Sequence, residues 1–337
     1  MKTVLITGSQ GFIGSYLCNE LLEKGYFVIG VDNYSKYGKI IRPHDSHENF
    51  SFYEEDMIGI ETRDALRFSN VDYIIAGAAM IGGISYFHKR AYDLLSTNER
   101  VIASTFDLAI KLKEIYRLKK IVALSSSMVF ESTKEFPTPE DSIRRSPPPL
   151  STYGFQKLSC EYFCKGAFEQ YKLPYTIVRP FNCVGVGEDK ALSNEIVTSG
   201  NIELMMSHVL PDLINKVIKG QYPLRVLGSG YQARCYTNGK DIAVGIRLAM
   251  ESNNSLNEDF NISIETPTTV IQLAEVVWRI AERKEKFLVE HDEPYEYDVQ
   301  NRLPDISKAK NLLGFEAKIT LEESVKEVYD YVKNRQA

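Results

Sequence analysis

The chain opens on Met1-Lys2-Thr3-Val4-Leu5-Ile6-Thr7 and runs straight into Gly8-Ser9-Gln10-Gly11-Phe12-Ile13-Gly14. A short apolar run without polar alternation suits a strand buried on both faces, and the glycines after it mark a tight turn that opens a helix. Gly8, Gly11 and Gly14 recur every third residue. The early ones let backbone amides approach a pyrophosphate at the helix N-terminus, and the last lets that helix pack on the strand. Glycines alone would equally fit an ordinary tight turn. A second apolar run, Phe27 to Val31, ends in Asp32. It lies about twenty residues on, where an acidic side chain binds the hydroxyls of an adenosine ribose. The pair predicts a dinucleotide site.

A chain of 337 residues can bury a large core and form one large domain plus a smaller one. Its net charge of -5 supplies no broad basic field, which argues against nucleic acid or an anionic membrane as partner. Any anionic substrate must then be held by a few placed arginines. No apolar run is long enough to span a bilayer and no cleavable leader precedes the first strand, so a cytoplasmic location is expected. The five cysteines, at 18, 160, 164, 183 and 235, have no paired metal spacing and read as free thiols. Cys160 and Cys164 share a helix face, but two soft ligands do not make a zinc site, and no metal is expected.

Strand-like segments at 2–7, 27–31, 50–54, 72–76, 120–125 and 174–179 alternate with helical stretches near 12–24, 61–68, 91–114 and 153–171. That alternation predicts an α/β fold with a doubly wound parallel sheet. Asp56 stands after the third strand, placed either to reach an adenine amino group or to cap the next helix. The small-residue run Ala76-Gly77-Ala78-Ala79-Met80-Ile81-Gly82-Gly83 lies at the carboxyl end of a strand. Ligands lie there in open α/β sheets, although a close helix crossing would also ask for small side chains. Thr97 and Asn98 fall inside the long helix, where an Asn is mildly unfavourable and so suits a bonding role. A serine-tipped strand, Leu124-Ser125-Ser126-Ser127-Met128, precedes Tyr153 and Lys157. Four residues apart, these project from one helix face. A phenol becomes a base only when its anion is stabilised; the neighbouring ammonium does this, and a serine hydroxyl can bond the substrate oxygen.

These residues resemble the extended short-chain dehydrogenase/reductases that act on nucleotide sugars. Thr7 to Gly14 is similar to their TGxxGFIG turn, Ser126 with Val129-Phe130 to their serine strand end, and Tyr153-x-x-x-Lys157 to their YxxxK pair. Arg179-Pro180-Phe181-Asn182, Gly228 to Arg234, and Arg302 to Ala309 resemble three later segments of the same family. The resemblance implies a Rossmann-type sheet with a smaller mixed α/β substrate-binding C-terminal domain. The NAD-binding part would comprise 1–182 plus about 236–265, and the nucleotide-sugar part about 183–235 plus 266–337. It implies Ser126, Tyr153 and Lys157 as catalytic residues and NAD as cofactor. Gly8, Gly11, Phe12, Ile13, Gly14, Asp32, Asp56, Met57, Ala78, Ala79, Asn98 and Pro180 would surround NAD, together with Tyr153 and Lys157. The sugar nucleotide would lie against Gly82, Gly83, Ser127, Met128, Asn182, His208, Val209, Arg234 and Arg302, the arginines on its diphosphate. A homodimer through the helices at 91–114 and 153–171 is implied as well.

Departures from the family pattern narrow the reaction. Dehydratases and decarboxylases of this family carry a carboxylate where this chain has Ser127 and Met128, so β-elimination lacks its usual acid and base. The segment Ser207-His208-Val209-Leu210-Pro211 resembles one in GDP-fucose synthases whose histidine is an acid in C3/C5 epimerisation. His208 therefore either serves as a further catalytic acid or orients its loop. Their NADPH use fits poorly, because Asp32 would repel a 2′-phosphate, with Lys36 and Lys39 as the nearby offsets. The expectation is an NAD-dependent nucleotide-diphosphate-sugar epimerase acting at C4 through a transient 4-keto sugar. Dehydration, or C3/C5 epimerisation with His208, is the alternative, and a non-catalytic NAD-binding regulator is the reading from another class. The stretch from Gly185 to Gly200 reads as a substrate lid or a surface loop.

Overall fold

A computed structural model describes residues 1–63, 65–81, 89–188, 198–203, 208–293 and 299–336. Seven strands form the central sheet: β1 (Thr3–Thr7), β2 (Phe27–Asp32), β3 (Phe50–Glu54), β4 (Tyr73–Ala76), β5 (Lys120–Leu124), β6 (Tyr175–Pro180) and β7 (Glu258–Ile262). They lie in the order β7-β6-β5-β4-β1-β2-β3, and every neighbouring pair is parallel. The helices are α1 (Phe12–Glu23), α2 (Ile60–Arg63), α3 (Ala91–Ile115), α4 (Thr152–Tyr171), α5 (Val209–Ile218), α6 (Gly239–Glu251), α7 (Val270–Ile280), α8 (Ser307–Leu313) and α9 (Leu321–Gln336). The expected helix at 61–68 is two short pieces, α2 and a 3-10 turn Ala65–Phe68.

The unbroken apolar strands follow from a sheet covered on both faces, since alternate residues enter different cores. Leu5 of β1, Ile74 of β4 and Ile121 of β5 pack with Phe106 and Leu112 of α3 and with Cys160 and Cys164 of α4. Val4, Ile6, Ile75 and Val122 turn the other way, onto Leu17 and Leu21 of α1 and Ile242 and Ile246 of α6. A third core joins Leu213 of α5, Leu273 and Trp278 of α7, and Val325 and Val328 of α9. It forms the smaller layer expected near the C-terminus. Ala309, Leu313 and Phe315 depart from that division: they pack in the core of α1 and α6, although the expected boundary assigns them to the substrate part. In β1 the register pairs Thr7 with Val31 on one side and with Ala76 on the other, so these strands end together. The chain crosses from β3 to β4 at this point, which opens a crevice beyond the carboxyl ends.

Candidate active site

That crevice is a cavity of ≈ 1060 Å³ running from the β1–α1 turn to the third core. Its first half is built from backbone. Gly8 has φ +77°, and a Cβ there would stand 2.9 Å from Ala78 Cα; one on Gly14 would stand 2.0 Å from the Gly8 carbonyl oxygen. Neither position admits a side chain. Helix α1 begins at Gly11 with no side-chain cap and no acidic residue in its first turn, so its leading amides are left for an anion. Asp32 accepts from Gln10 N at 3.0 Å and Tyr34 N at 2.8 Å. Burial raises its carboxyl pKa against the pull of these amides and of Arg42. A glycine cradle at a helix start followed by an acceptor fits a pyrophosphate and a ribose.

Thr7 Oγ1 accepts from the amides of Gly77 and Ala78, both at 3.0 Å, and ties the small-residue loop to β1. A Cβ on Gly77 would stand 2.9 Å from Thr7 O, on a neighbouring strand and not a crossing helix, while Ala78 and Ala79 line the cavity. Phe12, Ile13, Met57, Asp56 and Pro180 line it too. Asp56 Oδ1 accepts from Ile58 N at 2.8 Å, which closes a turn ahead of α2 and does not cap the helix itself. Asn98 does not reach the cavity. Its amide clasps Met80, accepting from Met80 N at 2.6 Å and donating to Met80 O at 2.9 Å, so it supports the wall instead of forming it. Lys39 is taken by Glu54 at 2.7 Å, whereas Lys36 lines the cavity, with burial lowering its ammonium pKa.

The middle of the cavity holds the catalytic candidates. Ser151 caps α4 by accepting from Gly154 N at 3.0 Å, which fixes the helix start beside the cavity. Tyr153 and Lys157 then face inward, with the ammonium 6.0 Å from the phenol ring centroid and donating to Leu124 O at 2.9 Å. Ser126 Oγ accepts from Met128 N at 3.2 Å, which leaves its own proton to donate. One turn beyond Lys157, Glu161 accepts from Ser125 Oγ at 2.7 Å and from Nε and Nη2 of Arg179 at 2.7 and 2.8 Å. Arg179 also pairs with Asp259 at 2.8 Å. This buried group anchors the serine strand end to α4 and to β7. Sequence reading did not find Glu161.

The far half is assembled from side chains of distant segments. Arg234 and Arg302 are register partners on adjacent short parallel strands and both line the cavity, with Arg234 donating to Ala233 O and Gln300 O at 2.9 and 3.1 Å. Two cations side by side are unfavourable unless an anion joins them. Asn182 sits at φ +39° on the cavity wall, with its buried Nδ2 unbonded among the described residues. Ser127, Met128 and Val209 line the wall as well, while Gly82 and Gly83 lie outside the described residues. Of the segment from Gly185 to Gly200, 189–197 lie outside them too. His208 enters the cavity just before α5 and its Nδ1 meets the buried carboxylate of Glu188, a partner not anticipated. Burial alone would raise the Glu188 pKa, but the charge and hydrogen bond of His208, with Lys36, leave it lowered. Among the described residues no group of three or more His, Cys, Asp or Glu could hold a metal, and no helix is long and apolar enough to cross a membrane.

A dinucleotide cradle at the sheet's crossover point, faced by tyrosine, lysine and serine, defines an enzyme that moves hydride at an alcohol carbon with a nicotinamide cofactor. The profile of the NAD dependent epimerase/dehydratase family matches residues 4–263, and the chain belongs to that family. It is 27% identical over 333 residues to a putative UDP-glucose 4-epimerase of Methanocaldococcus jannaschii, covering 98% of both chains. It is also 27% identical over 341 residues to a UDP-glucuronate 4-epimerase of Thermodesulfobacterium geofontis, covering 99% of this chain and 97% of that one. The crystal structure of UDP-glucose 4-epimerase from Thermotoga maritima with UDP-glucose superposes with a TM-score of 0.83 at 29% identity, covering 99% of this chain and all of the other.

Proposed function

We propose that the protein interconverts nucleotide-diphosphate sugars by inverting C4 through a transient 4-keto sugar. The observation that carries this is the placement of Tyr153, Lys157 and Ser126 between the glycine cradle and the paired arginines Arg234 and Arg302. When bound, the nicotinamide supplies hydride exchange at the sugar carbon. Tyr153 takes the proton of the C4 hydroxyl and later returns it, and Lys157, fixed by Leu124 O, favours the phenolate by its charge. Ser126 donates to the same sugar oxygen. Arg234 and Arg302 hold the diphosphate while the sugar turns, so that either face can meet the cofactor. Gly8, Gly11, Gly14 and Asp32 hold NAD throughout.

The likeness to 4-epimerases along nearly the whole chain supports this reading. So does the lack of a carboxylate at Ser127 and Met128. One observation favours a second reading: His208, backed by Glu188, could deliver a proton to C3 or C5 of the keto sugar. Pairing of two copies through α3 and α4, where Tyr92 and Tyr162 are exposed, belongs to the same proposal, as does a cytoplasmic setting. Incubating the purified protein, without added cofactor, with UDP-, GDP-, CDP- and dTDP-sugars in deuterated water tests the reaction by NMR. A C4 epimer free of carbon-bound deuterium is expected. Deuterium at C3 or C5 that disappears in His208→Gln would transfer the assignment to the second reading.

A further inference from the structure

Glu131 lines the catalytic wall and takes no part in the reaction above. It ends the 3-10 turn Ser127–Phe130 that comes after the serine strand end. Its Oε2 accepts twice from Ser151, from the backbone N and from Oγ, each at 2.9 Å. Two donors on one oxygen fix the direction of the carboxylate, and Oε1 has no hydrogen-bond partner among the described residues. The backbone makes room for it: a Cβ on Gly154 would stand 3.1 Å from Oε2 and 2.8 Å from Met128 O. The carboxylate thus lies over the residue next to Tyr153, in a wall shared with Ser126, Ser127 and Met128. The Lys157 ammonium donates to Leu124 O, while the carboxylate is held by Ser151 alone among the described residues.

A fixed carboxylate with one open oxygen accepts hydrogen bonds from sugar hydroxyls and repels a second carboxylate in the same confined space. Relatives acting on UDP-glucose and on UDP-glucuronate match this chain at the same 27% identity, so overall likeness does not separate a neutral hexose from a hexuronate. We propose that Glu131 makes this site selective for nucleotide sugars with a neutral hexose and excludes hexuronates. The inference rests on the nucleotide-sugar reading of the cavity.

The test is calorimetric binding of UDP, UDP-glucose and UDP-glucuronate to the NAD-loaded protein, wild type and Glu131→Gln, which keeps an acceptor for Ser151. Wild type should bind UDP-glucose at least about 10-fold more tightly than UDP-glucuronate. Glu131→Gln should shrink that ratio at least about 5-fold by tightening the uronate, with UDP itself unchanged. Glu131→Met, which gives up the Ser151 bonds too, must move the ratio the same way if the glutamine variant does not fold. UDP binding with equal affinity for the two sugars in wild type, or a ratio untouched by the substitution, overturns the proposal and leaves the nucleotide-sugar reading standing. No binding of UDP, nor of GDP, CDP or dTDP in its place, to wild type sinks both. A deoxy-keto product that vanishes in Glu131→Gln would make Glu131 an acid or base of dehydration and overturn its selective role.

Discussion

The two halves of the cavity are made of different material. Around Gly8 and Gly14 the ligand surface is backbone from one short stretch of chain, shaped by positions where no Cβ fits. Around Arg234, Arg302, Asn182 and His208 it is side chain, drawn from segments up to 120 residues apart, with His208 paired to Glu188 and Arg234 to backbone carbonyls. A backbone surface has one shape and suits a ligand that never leaves. A side-chain surface can be retuned one residue at a time, which suits the part of the site where related enzymes differ.

If the catalytic group between the halves acts on both, Tyr153→Phe should lower turnover about 1000-fold while NAD stays bound, as measured by single-turnover kinetics and the absorbance of the released cofactor. Equal loss of NAD would mean that the phenol belongs to the backbone half alone. Gly14→Ala strikes that half directly: its Cβ would lie 2.0 Å from Gly8 O, and the turn must open. We expect a loss on the order of 3 kcal/mol in denaturant unfolding, together with lost NAD binding.

The backbone half also has a pH limit. His44, buried against Phe50, has its pKa lowered from 6.5 to about 4, first by desolvation and further by Arg42, against an opposing pull from Asp45. A lowered histidine pKa means that the unfolded chain takes up the extra proton first, so stability is full above pH 6.5 and falls as the pH drops toward 4. The loss should be on the order of 2 kcal/mol and should be absent in His44→Leu, as read from denaturant midpoints across that range. The smallest effect provides a contrast: a Cβ on Gly166 in α4 meets nothing within 4 Å, so Gly166→Ala should gain up to about 1 kcal/mol with NAD binding unchanged.

The same contrast explains what could be read from the sequence. The sheet, its helices and the cofactor turn were legible because each is local: the strand at 2–7, the spaced glycines and Asp32 follow from short-range rules. Tyr153 and Lys157 were legible because helix geometry alone puts them on one face. Glu161 continues that face one turn on and could have been found by the same spacing. Glu188, Glu131 and Arg42 could not. Arg42 bridges the carbonyls of Gln10 and Gly187, 145 residues from its second partner, and only the folded chain brings the two together. Asn98 shows the same limit: an asparagine inside a helix signals a bond without naming the partner, here the Met80 backbone.

In C4 inversion through a keto sugar the C4 hydrogen leaves the sugar and returns to it without meeting solvent. Turnover of UDP-glucose deuterated at C4, in ordinary water and followed by NMR, tests it most directly. A C4 epimer that keeps the deuterium at C4 is expected. Loss of the label to water during epimerisation, or a product unchanged at C4 but altered elsewhere on the ring, would contradict it.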